Sequence, residues 1–78
     1  MEYYITHDGK MFAVANEKEL VTTLRMDLRL PMGSDKEYMQ SMARWCRVQK
    51  EGAEIRTHNP KVFVHDLLEH KLLTKLES

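Results

Sequence analysis

One cysteine, four histidines and a cluster of arginines and lysines are the side chains of this sequence whose types could carry chemistry. Cys46 with a histidine would supply a nucleophile and a base. It stands beside Trp45 on an apolar helical stripe, however, where a thiol is ordinarily inert packing. His58, His65 and His70 lack metal-ligand spacing, and the i,i+4 pair His65 with Glu69 has no third ligand in sequence. Gly9, Gly33 and Gly52 each fall at a turn or a helix end, so none forms a loop that cradles phosphate. The residues therefore predict no catalytic site, no metal and no cofactor, and the chain reads as a non-enzyme.

What remains is contact chemistry. Arg44, Arg47 and Lys50 recur at i, i+3 and i+6, and Arg56, His58 and Lys61 follow across Gly52. Set against Glu51 and Glu54, they make a locally positive region that could meet phosphate or an acidic partner surface. The plainer reading is the solvated face of an amphipathic helix. Tyr3 and Tyr4 are adjacent in a strand pattern, so they point to opposite faces and one stays accessible. Tyr, Met, Trp and Arg are enriched where proteins bind proteins, although the six methionines also suit a small core. Tyr3, Arg44, Arg47, Lys50, Arg56 and Lys61 are the candidate partner-binding residues.

The elements that must position these side chains are written in local signals. Tyr3-Tyr4-Ile5-Thr6 and Met11-Phe12-Ala13-Val14 flank Asp8-Gly9, which predicts an antiparallel hairpin closed by a type I′ turn, with Phe12, Val14 and Tyr4 facing the core. Asn16 followed by Glu19 predicts a capped helix whose buried face carries Leu20, Val21, Leu24 and Leu28 and which ends at Pro31 and Gly33. Ser34 with Glu37 starts a second helix. Its stripe is Tyr38, Met42 and Trp45 with Met39 and Cys46 beside it, and Gly52 is placed as its C′ residue. Ala53-Glu54-Ile55-Arg56-Thr57 has short β character with Ile55 inward. Asn59-Pro60 opens a third helix with Phe63, Val64, Leu67 and Leu68 buried. Leu72 and Leu76 continue its i+4 row. The segment from Leu72 to Leu76 reads as helix or terminal strand, with helix favoured because Lys71 and Lys75 suit a helix C-terminus.

The predicted class is α+β, an N-terminal antiparallel hairpin widened by a third short strand near Ile55 and packed on three helices. The 78 residues leave room for one domain, residues 1–78, with one small core. Lys and Arg number 12 and so do Asp and Glu, which argues against a polyanion mimic and against a dedicated nucleic-acid binder. The single cysteine allows no internal disulfide, and no run approaches the ~20 apolar residues of a membrane span. The N-terminal residues lack a signal-peptide pattern, so a cytoplasmic, non-membrane protein is expected. An exposed hairpin edge could pair with a second copy into a homodimer.

The hairpin with Asp8-Gly9-Lys10, then Ala15-Asn16-Glu17-Lys18-Glu19-Leu20-Val21, Glu37-Tyr38-Met39, and Ile55-Arg56-Thr57 with Phe63-Val64 and Asp66-Leu67-Leu68 together resemble small uncharacterised phage and prophage proteins, a pool that includes anti-CRISPR proteins. The resemblance covers most of the chain and lies in turns, caps and apolar stripes. It implies a short inhibitor that occupies a surface of a host defence complex, in the host cytoplasm, with a larger protein or ribonucleoprotein complex as partner. It carries over no catalytic or binding residue. The zero net charge departs from the acidic DNA-mimic subset of such inhibitors. From another class, a small nucleic-acid-binding regulator is the alternative expectation.

Overall fold

The computed structural model describes residues 1–27 and 33–76. Strands β1 (Glu2–Thr6) and β2 (Met11–Val14) are followed by helices α1 (Glu17–Met26), α2 (Asp35–Gln49) and α3 (Pro60–Glu69), and the described chain closes on β3 (Leu73–Leu76). The class is α+β, as the sequence predicts. The sheet is antiparallel in the order β2-β1-β3, so the first strand becomes the central one.

Each helix begins as its capping residue dictates. Asn16 Oδ1 accepts from the Glu19 N–H at 2.9 Å, Ser34 Oγ from the Glu37 N–H at 3.2 Å, and Asn59 Oδ1 from the Val62 N–H at 3.0 Å. Helix ends departed further from expectation. Within the described residues α1 stops at Met26 with Asp27 as its cap, before Leu28 and Pro31, which lie outside the described residues. Lys50 is the C-cap of α2, which puts Gly52 one position beyond the expected C′, still with a left-handed φ of 84°.

The hairpin turn is also of another type. Only Gly9 has a positive φ, 91°, and Asp8 does not share it. The Gly9 N–H donates to the Thr6 carbonyl at 3.0 Å and the Thr6 N–H to the Lys10 carbonyl at 2.8 Å. This is the three-residue hairpin loop, a type I turn relieved by a glycine bulge, instead of a two-residue I′ turn.

The third strand is not near Ile55. Residues 53–57 pair with no strand, although Ala53 and Ile55 are buried. The backbone there is strapped to α3 by a side chain: the Arg56 N–H donates to Asp66 Oδ2 at 2.8 Å, and its guanidinium donates to both Asp66 oxygens at 2.9 Å. The strand that widens the sheet is β3, where a continued helix was favoured. After Glu69 the Lys71 N–H donates to the Leu68 carbonyl at 3.1 Å and the Leu72 N–H to the Leu67 carbonyl at 2.9 Å, with Lys71 at φ 59°. That is a Schellman motif with lysine in the left-handed position usually held by glycine. The Lys50 ammonium donates to the carbonyl of the His70 cap, adding a cation at the negative end of α3.

All three helices contribute to one core on one side of the sheet. Tyr4, Val14 and Leu73 from the strands meet Leu20, Val21 and Leu24 from α1, Tyr38, Met39 and Cys46 from α2, and Phe63, Val64 and Leu67 from α3. Tyr38 meets Phe63 edge-on with ring centroids 6.3 Å apart. The α1–α2 pair is clamped by Asp35, which accepts from the Thr22 hydroxyl and from Arg25 Nε, each at 2.7 Å. Trp45, expected in the buried stripe, instead sits at its edge, 38% exposed and against His7.

Candidate functional site

The strand register decides which side chains share the other side of the sheet. Tyr3 pairs with Ala13 and with Leu76, and Ile5 pairs with Met11 and with Thr74. Directly paired residues point the same way, and alternate residues of a strand point opposite ways. Tyr3, Ile5, Met11, Ala13, Thr74 and Leu76 therefore form the face opposite Tyr4. Tyr3, Met11, Ala13 and Thr74 are exposed, and Ile5 and Leu76 half-buried. None of the six carries a charge. The nearest ion pair, Lys75 Nζ to Glu2 Oε1 at 2.7 Å, alternates onto the helix side, where Lys75 also lies 5.9 Å from the centre of the Tyr4 ring.

Tyr3 thus stands in the middle of an apolar, uncharged sheet surface. The candidate basic residues have different fates. Arg44 and Arg47 are exposed on α2, Arg44 donating at 3.4 Å to Ser41 Oγ of its own helix. Lys50 is committed to the His70 carbonyl and Arg56 to Asp66. The Arg56 guanidinium and backbone N–H hold the Asp66 carboxyl at about 2 against the opposing effect of burial, so that ion pair persists far into acid. Arg56 and His58 border an open groove with Lys36, Met39 and Gln40 of the first half of α2, whereas Lys61 faces Asn16, Glu17 and Lys18 at the start of α1. Arg56 and Lys61 therefore border different grooves, and both are exposed, as is Lys50. Arg44 and Arg47 share α2 with the exposed Trp45 and with Val48, which is 80% exposed.

Cys46 is completely buried and burial pushes its thiol up, which disfavours the thiolate a nucleophile requires. The His65 and Glu69 side chains meet at 3.4 Å in the open. Among the described residues no three His, Cys, Asp or Glu side chains gather where they could hold a metal ion, and no helix is long and apolar enough to cross a membrane.

Sequence reasoning found Tyr3 and missed its neighbours. Ile5 and Met11 were readable by alternation once Tyr4 was placed inward. Leu76 and Thr74 were not, because their place depends on β3 pairing with β1. His7 was also passed over; only the fold brings it to Trp45, with ring centroids 5.2 Å apart. No protein-family model, curated protein or solved structure matches this chain.

Proposed function

We propose that this protein is a non-enzymatic protein-binding module that covers a surface of a larger protein or ribonucleoprotein complex, docking through the outer face of its sheet. The observation that carries this reading is the uncharged row of Tyr3, Ile5, Met11, Ala13, Thr74 and Leu76 across three hydrogen-bonded strands. Exposed apolar side chains that adjoin one another, as Tyr3 and Met11 do here, are the kind of surface on which interaction sites are built. Tyrosine and methionine are also favoured contact residues. Arg44 and Arg47 supply a second, charged region suited to steering an acidic partner rather than to holding it. Inhibition of a host defence complex by occlusion, as the resemblance to phage proteins implies, is the specific form of this function. It needs a surface and no reacting group.

The test is capture of partners from bacterial lysate by the tagged protein, with and without nuclease, beside the double variant Tyr3→Glu/Met11→Glu. A stoichiometric, nuclease-resistant partner bound about tenfold or more weaker by the folded double variant supports the reading. Retained affinity in that variant removes the sheet face as the docking surface. Loss of every partner on nuclease treatment, with affinity falling steeply in salt, would replace it with nucleic-acid binding.

A further inference from the structure

His7 and Trp45 help to line a partly open recess of about 120 Å³ between the hairpin turn, the end of α1, α2 and the start of β3. Its walls are mostly apolar, with the buried Cys46 among them and the Lys10 and Asp27 side chains at its margin. Lys10 Nζ and Asp27 Oδ2 are 2.8 Å apart and neutralise each other. The Tyr38 hydroxyl is the hydrogen-bonding group that matters here. Tyr38, only 4% exposed, lines the recess, and its hydroxyl makes no hydrogen bond to any other residue. No fully enclosed side-chain nitrogen or oxygen among the described residues is left unpaired, so the Tyr38 oxygen must retain accessible surface, and the recess is the opening that Tyr38 lines. With no protein partner, that hydroxyl is left to pair with whatever occupies the recess, and a bound acceptor would serve it directly.

The size and lining select the ligand. An apolar protein cavity of about 150 Å³ holds one benzene molecule, so this space admits a single ring and excludes a fused pair. Trp45 and His7 contribute aromatic rings to its lining. With Lys10 paired to Asp27, and the exposed Asp8 carboxylate already accepting from the Thr6 hydroxyl, a charged ligand would find little to offset its desolvation. A purely aliphatic one would leave the Tyr38 hydroxyl unpaired.

We propose that this recess binds a neutral, single-ring aromatic bearing one hydroxyl, its ring against Trp45 and His7 and its oxygen accepting from the Tyr38 hydroxyl. Burial, with smaller contributions from Cys46 and Asp27, pushes the Tyr38 phenol up to about 12, so it remains a donor throughout the physiological range. The site lies on the helix side of the sheet and does not depend on the outer face being a docking surface.

The experiment is titration of the isotopically labelled protein with p-cresol and, separately, with toluene. It is followed by amide shifts and by the fluorescence of Trp45, the sole tryptophan. Saturable p-cresol binding is expected, with shifts centred on His7, Tyr38, Trp45 and Cys46, and with p-cresol preferred to toluene. Tyr38→Phe should weaken p-cresol by about three- to tenfold and leave toluene unchanged. Absence of saturable p-cresol binding overturns the proposal, as does equal affinity for the two probes in the parent protein. The latter comparison stands even if the variant does not fold. A parallel arm with N-acetyltyrosinamide separates the two sources of this chemistry: tighter binding than p-cresol makes the ligand a partner's tyrosine side chain, weaker binding a free phenol, and either supports the site.

Discussion

Tyr3 and Tyr4 are the same residue type one position apart in one strand, and the structure gives them opposite environments. Tyr4 is 1% exposed among side chains of all three helices, while Tyr3 is 36% exposed and stands outside that core. The two sides of the sheet differ little in hydrophobicity. They differ in what is laid on them, because every helix of the described chain contributes its apolar stripe to the same side. A sheet can hold its fold with one face packed and leave the other for contact. Stability is therefore concentrated on the inner face and is separable from whatever the outer face binds.

That separation can be broken most sharply by truncating each tyrosine. Tyr4→Ala should cost about 3–5 kcal/mol, the range for deleting a large buried ring, and leave a domain of this size largely unfolded. Tyr3→Ala should change the unfolding free energy read from urea titration by about 0.5 kcal/mol or less. Equal losses would mean that the outer face is also structural.

Acid should reveal the inner side a second time. Asp66 has its carboxyl depressed to about 2 by Arg56, below its usual 3.8. The sign follows from the depression: the contribution is complete above the unfolded value near 4 and disappears as pH falls through 2. After allowance for the exposed Arg56 end, it is on the order of 1–2 kcal/mol. Asp66→Asn should show a correspondingly shallower loss of stability between pH 5 and 2 in thermal melts, whereas Tyr3→Phe should track the parent at every pH. A smaller effect is expected at the helix end that turns the chain into β3. Lys71→Gly relieves a left-handed lysine and should stabilise by about 0.5–1 kcal/mol, readable as a higher urea midpoint. Destabilisation there would show that Lys71 contributes more through its side chain than its backbone conformation costs.

What was legible in the sequence was local. The three N-caps could be read because the capping side chain and the N–H it serves are neighbours in sequence, as Asn16 and Glu19 show. The split between Tyr3 and Tyr4 could be read because alternation needs only one strand. The end of α3 could not, since Leu72 and Leu76 fit both periods and the stop is made by Lys71 in a position where glycine would have announced it. Ile55 was correctly placed inward and wrongly placed in a strand, because its segment is held by the Asp66 carboxylate instead of a neighbouring backbone. The same carboxylate pairs with the Arg56 guanidinium, which offsets its charge in the basic stretch. A third of the outer contact face was hidden for one reason: Thr74 and Leu76 stand on β3, whose pairing with β1 no local signal encodes.

That pairing also orders events in time. The ion pair that joins β1 to β3, Glu2 with Lys75, spans 73 positions of sequence. While the polypeptide is being synthesised, the hairpin emerges early with one flank of its central strand open, and the strand that closes it emerges only after all three helices. Closure of so long a loop is slow compared with helix formation. A nascent chain therefore passes through a stage in which β1 offers both an unpaired edge and an apolar face. It is most vulnerable to aggregation, and most available to a chaperone, in the interval before Leu76 leaves the ribosome.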